Sequence, residues 1–329
     1  MSKITFGIGT SHSVLLNIDA ALWFDRAKDD LRMQLTLSDG RTLSYDELLG
    51  EVGGSFAEHA TLPQFETQSR MAHAALDRLA AELADAAPDL ILIVGDDQKE
   101  LFDLNNMPAI SIYYGAEIVM HPRRIDSDLP DWRRQSISGY SMDAAHRHAA
   151  APQYALGLID RLMARGIDLG AVADVPDPAR AGFGHAYGFV VERLMQRRGT
   201  PIVPVLLNTY FPPNVPHPAR CYEIGQALRE AVEEMPDDLS VAIIASGGLS
   251  HFVTDEKLDR GLLEGLGGRD AAALKSIPVE ALRSGSSEIL NWILAGGALE
   301  GLTLKWSEYF PVYRTPAGTG TGLAFAAWR

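Results

Sequence analysis

The chain has 329 residues, 47% of them apolar and 22% charged, with a formal net charge of −14. That composition suits a large hydrophobic core and excludes a disordered chain, while the acidic balance argues against a nucleic-acid partner. Cys221 is the one cysteine, which excludes an internal disulfide; it is read as a small buried hydrophobe at a helix start. The beginning, MSKITFGIGTSHS, has no long apolar segment of a secretory signal, and no stretch nears the roughly 18 uncharged apolar residues of a membrane span. A cytoplasmic protein with no membrane partner is expected.

Residues 4–8 read as a strand running into GTSHS at 9–13. Gly9 permits a tight bend that leaves His12 at the strand tip. Residues 17–60 hold a short amphipathic helix in AALWFDRAKDD, a turn at Asp39-Gly40 and a helix start near Ser44 with Glu47 at the capping-box position. Residues 65–87 carry helical spacing, stopped by Pro88. Together, residues of about 17–85 are expected to form a helical insertion or lid. A buried strand follows at 90–94, then the acidic tip GDDQ, then a strand at 109–115. Residues 121–150 read as a polar loop leading into a helix at about 141–165, with His146 and His148. A helix after 185, a strand in PIVPVLLNTY, a helix from about Pro218 and a strand in SVAIIAS with a glycine-rich tip come next. The remainder is expected to be mainly helical as far as GTGTGLAFAAW.

Short apolar strands alternating with helices predict an α/β fold: a central mostly parallel or mixed sheet flanked by helices, in one large domain over 1–329. Strand order is not readable from this pattern. SGGLS lacks the spacing of a phosphate-binding loop and of a hydrolase elbow, and GTGTG lacks the context of a dinucleotide fingerprint. GTSHS, GDDQ and SGGLSH each follow an apolar run, and in such sheets the carboxyl ends of strands are the usual ligand side. His12 and His251 share that setting. Glu288 lies in the first turn of a helix, where it complements the helix dipole. It also suits the anionic member of a facial triad, in which two neutral ligands and one carboxylate leave sites open on the metal.

The motifs GIGTSH, GDDQ, GHAYGF, NTYFPPNVPHPARC, SGGLSHF and GSSEILNWILAGGAL, in that order, resemble the class III extradiol ring-cleavage dioxygenases, the family of the protocatechuate 4,5-dioxygenase β subunit. The resemblance spans most of the chain and is weakest over 17–85. It implies a mononuclear non-haem Fe(II) held by two histidines and a glutamate. His12 matches the first iron histidine, Glu288 the iron glutamate, and His251 the catalytic histidine that acts as base and then acid. His185 matches a second active-site histidine touching substrate or oxygen. Asn208 matches a segment near the pocket. The implied partners are a small aromatic substrate and dioxygen, and a homo-oligomer is the family-level expectation.

One position departs from the family pattern. The second iron histidine ends an asparagine-aspartate-histidine motif, and here that stretch reads Asp96-Asp97-Gln98. Three readings stay open: Gln98 binds metal through its amide oxygen, His59 moves in as its rival, or the metal site is weakened or lost. Asp97 turning inward is a further option. The implied substrate is a catechol-type aromatic, with a carboxylated one such as gallate, 3-O-methylgallate or protocatechuate preferred. Arg220 is the first candidate for a carboxylate, Arg283 and Arg314 are further options, and Tyr313, with Trp306, Tyr309 and Phe310, is a candidate for the ring-binding wall. The alternatives are a metal-dependent relative acting on a non-catechol aromatic, or a non-catalytic aromatic-binding homologue.

Overall fold

Four strands owe their place to near-continuous apolar sequence: β1 (Lys3–Thr10), β2 (Leu90–Asp96), β5 (Ile202–Leu207) and β6 (Ser240–Ser246). In the computed structural model, which describes residues 1–329, these four run parallel in the order β1-β6-β2-β5. Strands buried on both faces have no polar side to spare, which is why they read as apolar runs rather than as an alternating pattern. Leu90, Leu92 and Val94 enter one core cluster and Ile91 and Ile93 the other, so the sheet separates two cores.

The sheet is mixed and has nine strands. β3 (Ile110–Tyr113) pairs antiparallel with β5 and parallel with β4 (Gly170–Val172). At the other side, β9 (Thr319–Trp328) lies antiparallel to β1, to β7 (His251–Val253) and to β8 (Leu304–Tyr313). The helices Pro152–Ala164, Pro218–Glu233, Glu256–Gly268 and Ile289–Ala298 cover one face. The helix Leu62–Ala86 and the segment from His185 to Leu194 cover the other. Ala72, Ala75, Leu76 and Leu79 of the first helix are buried there, so the long helix of the 17–85 segment is part of this layer. No helix is long and apolar enough to cross a membrane.

Three local expectations need correction. Residues 304–313 form a strand, not a helix; their half-buried alternation at Leu304, Trp306 and Glu308 has the period of a strand with one wet face. The helix expected over 141–165 begins at Pro152, whose fixed φ suits a first helical turn, and residues 147–149 pair with 117–119 instead. Gly9 makes no bend. It lies within β1, and a Cβ there would come within 2.1 Å of the Trp292 ring, so the glycine admits a close-packed indole.

Candidate active site

Because β1, β2, β5 and β6 are parallel, their carboxyl ends share one edge. Thr10 leads to His12, β2 ends at Asp96 and leads to Gln98 and Glu100, and β6 leads to Gly247 and Gly248. Glu288 comes from the 3-10 turn Ser284–Glu288 that precedes the helix Ile289–Ala298, and His185 opens a short helix. His12, Gln98, Glu100, His185, His251 and Glu288 all line one cavity of about 580 Å³.

His12, Asp96, His185 and Glu288 each aim one donor atom at a common point, the four atoms lying within 4.8 Å of one another. Hydrogen bonds fix the ring of His12. The Ser246 hydroxyl donates to the carbonyl of Ala186 at 2.7 Å, so it accepts from His12 Nδ1 at 3.0 Å. That turns the other ring nitrogen, Nε2, toward the common point. Nε2 is buried, lies 3.0 Å from Glu288 Oε2, and has no hydrogen-bond partner. His185 is held in the same manner: Nδ1 meets the buried carboxylate of Glu100 at 3.0 Å, and Nε2 lies 3.9 Å from Asp96 Oδ2. A histidine whose far nitrogen is tied to an oxygen is the usual support of a metal-binding imidazole.

Glu288 is nearly sealed and receives the backbone N–H of Gly248 at 2.6 Å. Burial opposes its charge, but the adjoining His12 and His251 hold its pKa well below the ordinary carboxylate range. Asp96 moves the other way, raised first by burial and then by the charge of Glu288. Burial opposes the charged form of His185 as well, yet Glu100 lifts it to about 9, while Glu100 falls to about 2 despite its own burial. The two buried carboxylates, Asp96 and Glu288, closing on one small volume are what a divalent cation would compensate.

Gln98 lies at the rim of this cluster with its Nε2 amide donating to Asp96 Oδ2 at 3.1 Å and to Glu288 Oε1 at 3.2 Å. Two carboxylates leave no other orientation for the amide, which therefore presents N–H groups, not its oxygen, to the centre. His59 is exposed, with its ring 5.6 Å from that of Tyr313, and does not line the cavity. Asp97 turns outward and caps the following turn, accepting from Leu101 N at 2.8 Å and Phe102 N at 3.1 Å.

His251 sits beside the cluster. Nδ1 donates to the carbonyl of Leu249 at 2.7 Å, which leaves Nε2 free to take a proton on the cavity side, 3.4 Å from Glu288 Oε1. Burial works against its charge, but Glu288 outweighs that and raises its pKa. Gly285 is packed against the ring; a Cβ there would fall 1.9 Å from Cδ2.

Of the expected substrate contacts, Asn208, Arg220, Arg283 and Tyr313 do not line the cavity. Asn208 is a loop brace: its amide bonds Phe211 O at 2.8 Å and Asn214 O at 3.1 Å, and its oxygen accepts from Phe211 N at 2.9 Å. Arg220 is an exposed helix-start residue whose guanidinium reaches Gly166 O at 3.3 Å. Arg283 is exposed too. Tyr313 stacks on Phe56 at 4.4 Å and donates to Glu256 at 2.7 Å, beside a different, smaller cavity. Trp306 donates to Glu82, Tyr309 donates to Asp259, and Phe310 is in the core. Arg314 does line the site cavity. Sequence reasoning assigned no role to Asp96, Glu100, Tyr140 or Arg26. Alternation of acids at 96 and 100 around Gln98 was the available signal for the first two.

The model of a family described as the catalytic LigB subunit of aromatic ring-opening dioxygenase matches residues 60–324. A gallate dioxygenase of Pseudomonas putida is 50% identical to this chain over 56 residues, 17% of this chain and 16% of that protein's length. Asp96, Gln98, Glu100, His185, His251 and Glu288 lie inside the family match, and His12 precedes it. With a match over most of its length, the chain belongs to the family of the catalytic LigB subunit of aromatic ring-opening dioxygenase.

Proposed function

We propose that this chain opens the ring of a small catechol-type aromatic with dioxygen at a mononuclear Fe(II) centre held by His12, His185 and Glu288. The observation that carries the reading is the orphaned Nε2 of His12, gathered with three other donors within 4.8 Å of one another beside the Nε2 of His251. Two imidazoles and a carboxylate on one side of a first-row metal are the donor set of non-haem iron oxygenases. In this reading His185 takes the ligand place for which Gln98 and His59 were the candidates, and Gln98 serves as a donor between Asp96 and Glu288. Bound iron would supply a redox-active site for substrate and dioxygen together.

The residues around it handle protons and geometry. His251 Nε2, turned to the cavity because Nδ1 is tied to Leu249 O, accepts a proton from a substrate hydroxyl and returns it when the ring opens. The Ser286 hydroxyl accepts from His251 N at 3.0 Å and donates to His251 O at 3.1 Å, fixing the backbone that carries the ring. Tyr140 donates to the carbonyl of His12 at 2.7 Å and holds that strand tip. Glu100 keeps His185 in the tautomer whose Nε2 faces the centre. A carboxylated substrate of the gallate, 3-O-methylgallate or protocatechuate kind fits the basic wall of the cavity, and the working form is a cytoplasmic homo-oligomer.

Anaerobic reconstitution with Fe(II), followed by a panel of catechols and exposure to oxygen, tests the reading. It expects about one iron per chain, oxygen uptake and a coloured ring-opened product. Zinc-only occupancy, or iron binding without oxygen uptake on any catechol, would sink it.

A further inference from the structure

Arg26 and Arg314 both line the site cavity, and both are buried, 8% and 4% exposed. They share a single carboxylate. Asp30, fully buried, receives Arg26 Nη1 at 2.9 Å, Arg314 Nε at 2.9 Å and Arg314 Nη2 at 3.1 Å, with the Thr319 hydroxyl as a further donor at 2.9 Å. Two guanidiniums, neither able to lose its proton, against one carboxylate leave an excess positive charge in this buried part of the cavity wall. The neighbouring acids do not cancel it. Asp29, half-buried, offsets part of the Arg26 charge but is itself paired with Arg133 at 3.2 Å, while Glu100 and Glu288 are engaged by His185, His12 and His251.

The Arg26 guanidinium is held in place. Its carbon lies 5.6 Å from the ring centres of both Trp132 and Phe252, and Nη1 is its single hydrogen-bonding atom. The fork edge not used by Asp30 remains available in a cavity that also holds His251. Arg314 acts electrostatically on His251, so this charge is felt where the reacting ring would lie. Burial of an excess cation is costly without an anion to meet it, and a guanidinium edge matches a planar carboxylate in shape and charge.

We infer that Arg26, backed by the Arg314–Asp30 pair, binds a carboxylate substituent of the aromatic substrate and sets the preference for acidic over neutral rings. This rests on the ring-opening reading for the identity of the ligand's other end. Arg26 precedes residue 60, where the family match begins, so this selectivity belongs to the N-terminal segment of this chain.

The test uses the full chain and two probes of one shape, 3,4-dihydroxybenzoate and 3,4-dihydroxybenzamide. Binding is measured anaerobically by calorimetry, and turnover by oxygen uptake after iron loading. The parent should favour the carboxylate on the order of 10- to 100-fold, the worth of a charge-assisted hydrogen bond. Arg26→Gln should bring that ratio close to one, and Arg26→Lys should keep part of it. Arg26→Gln leaves Asp30 paired bidentately with Arg314, so its melting temperature should not fall. Equal affinity of the parent for both probes overturns the inference without need of any variant. An unchanged ratio in Arg26→Gln overturns it as well. Tighter binding of the carboxylate with no oxygen uptake keeps this site and defeats the ring-opening reading alone.

Discussion

His12 Nε2 lies 3.0 Å from Glu288 Oε2, and the two form no hydrogen bond. The contact is close because both atoms point at a third position, not at each other. Once the imidazole is neutral, as a metal ligand must be, its nitrogen and an ionised carboxylate oxygen would repel as two acceptors unless a cation stands between them.

Metal should therefore stabilise the folded chain through this pair. Fe(II), or Co(II) as an oxygen-stable substitute, should raise the melting temperature of the parent as its concentration exceeds the dissociation constant. His12→Ala should lose that response and the bound metal together. A metal-dependent shift retained in His12→Ala would place the cation elsewhere.

Gln98 decides between two ligand sets. As an amide donor to Asp96 and Glu288 it orders the site without holding metal, so Gln98→Ala should keep metal near parental stoichiometry and His59→Ala should be indistinguishable from the parent. His185→Ala should lose it. Metal content by elemental analysis separates the cases: loss in Gln98→Ala with retention in His185→Ala would restore Gln98 as the ligand.

Glu100 should matter through His185. Carboxylates that hold a ligating histidine typically change metal affinity by about 10- to 100-fold when removed. Glu100→Leu is expected to show a loss of that order, and Glu100→Gln, which can still accept from Nδ1–H but carries no charge, a smaller one. Equal affinity in all three proteins would reduce Glu100 to a partner of Arg123, 3.4 Å away.

How far the site could be read beforehand follows from where its parts lie in the chain. His12, Asp96-Gln98 and the SGGLSH tip each end an apolar run that can only be an interior strand, and parallel strands bring such ends to one edge. Glu288 was legible from its motif. Arg26 was not: its helix Trp23–Asp30 makes an ordinary amphipathic pattern with an i,i+4 pair to Asp30, and the second cation on that carboxylate, Arg314, lies 288 residues further along. Arg220 and Tyr313 failed for a related reason. Composition of a matched segment says which residues are near a loop or strand, but the side of the strand and the turn of the helix decide which cavity they meet. Strand β8 was missed because its one wet face breaks up the apolar run that marked the interior strands.

Asp259 carries a pH dependence outside the donor cluster. It is fully buried, accepts from Ser250 N at 2.8 Å and from the Ser250 and Tyr309 hydroxyls at 2.7 Å, and so braces the residue before His251. Burial lifts its pKa to about 6 from the ordinary 3.8, against the pull of those donors. The folded state thus binds this proton more tightly than the unfolded one. The stability this contributes is full below pH of about 4 and is lost as pH rises through about 6. A shift of that size corresponds to about 3 kcal/mol. Asp259→Asn cannot titrate, so denaturant unfolding at pH 4 and at pH 7 should show the parent losing stability relative to the variant across that interval. A constant difference between the two proteins would mean that Asp259 titrates normally.

The last prediction concerns the space that His251 needs. Gly285 has no other role in the site than its lack of a side chain, since a Cβ there would overlap the imidazole at 1.9 Å from Cδ2. The ring cannot yield by rotating in place, because Nδ1 is bound to Leu249 O and the backbone is held on both sides by Ser286. Gly285→Ala should therefore displace Nε2 from the cavity while leaving His12, His185 and Glu288 in place. The expected result is parental metal content with kcat lowered by about 100-fold, the order of a lost general acid-base group. His251→Ala made in parallel should give a comparable loss, and the double variant little more than either alone, since both remove one function. Additive losses in the double variant would show that Gly285 acts on the site by a route other than the position of His251.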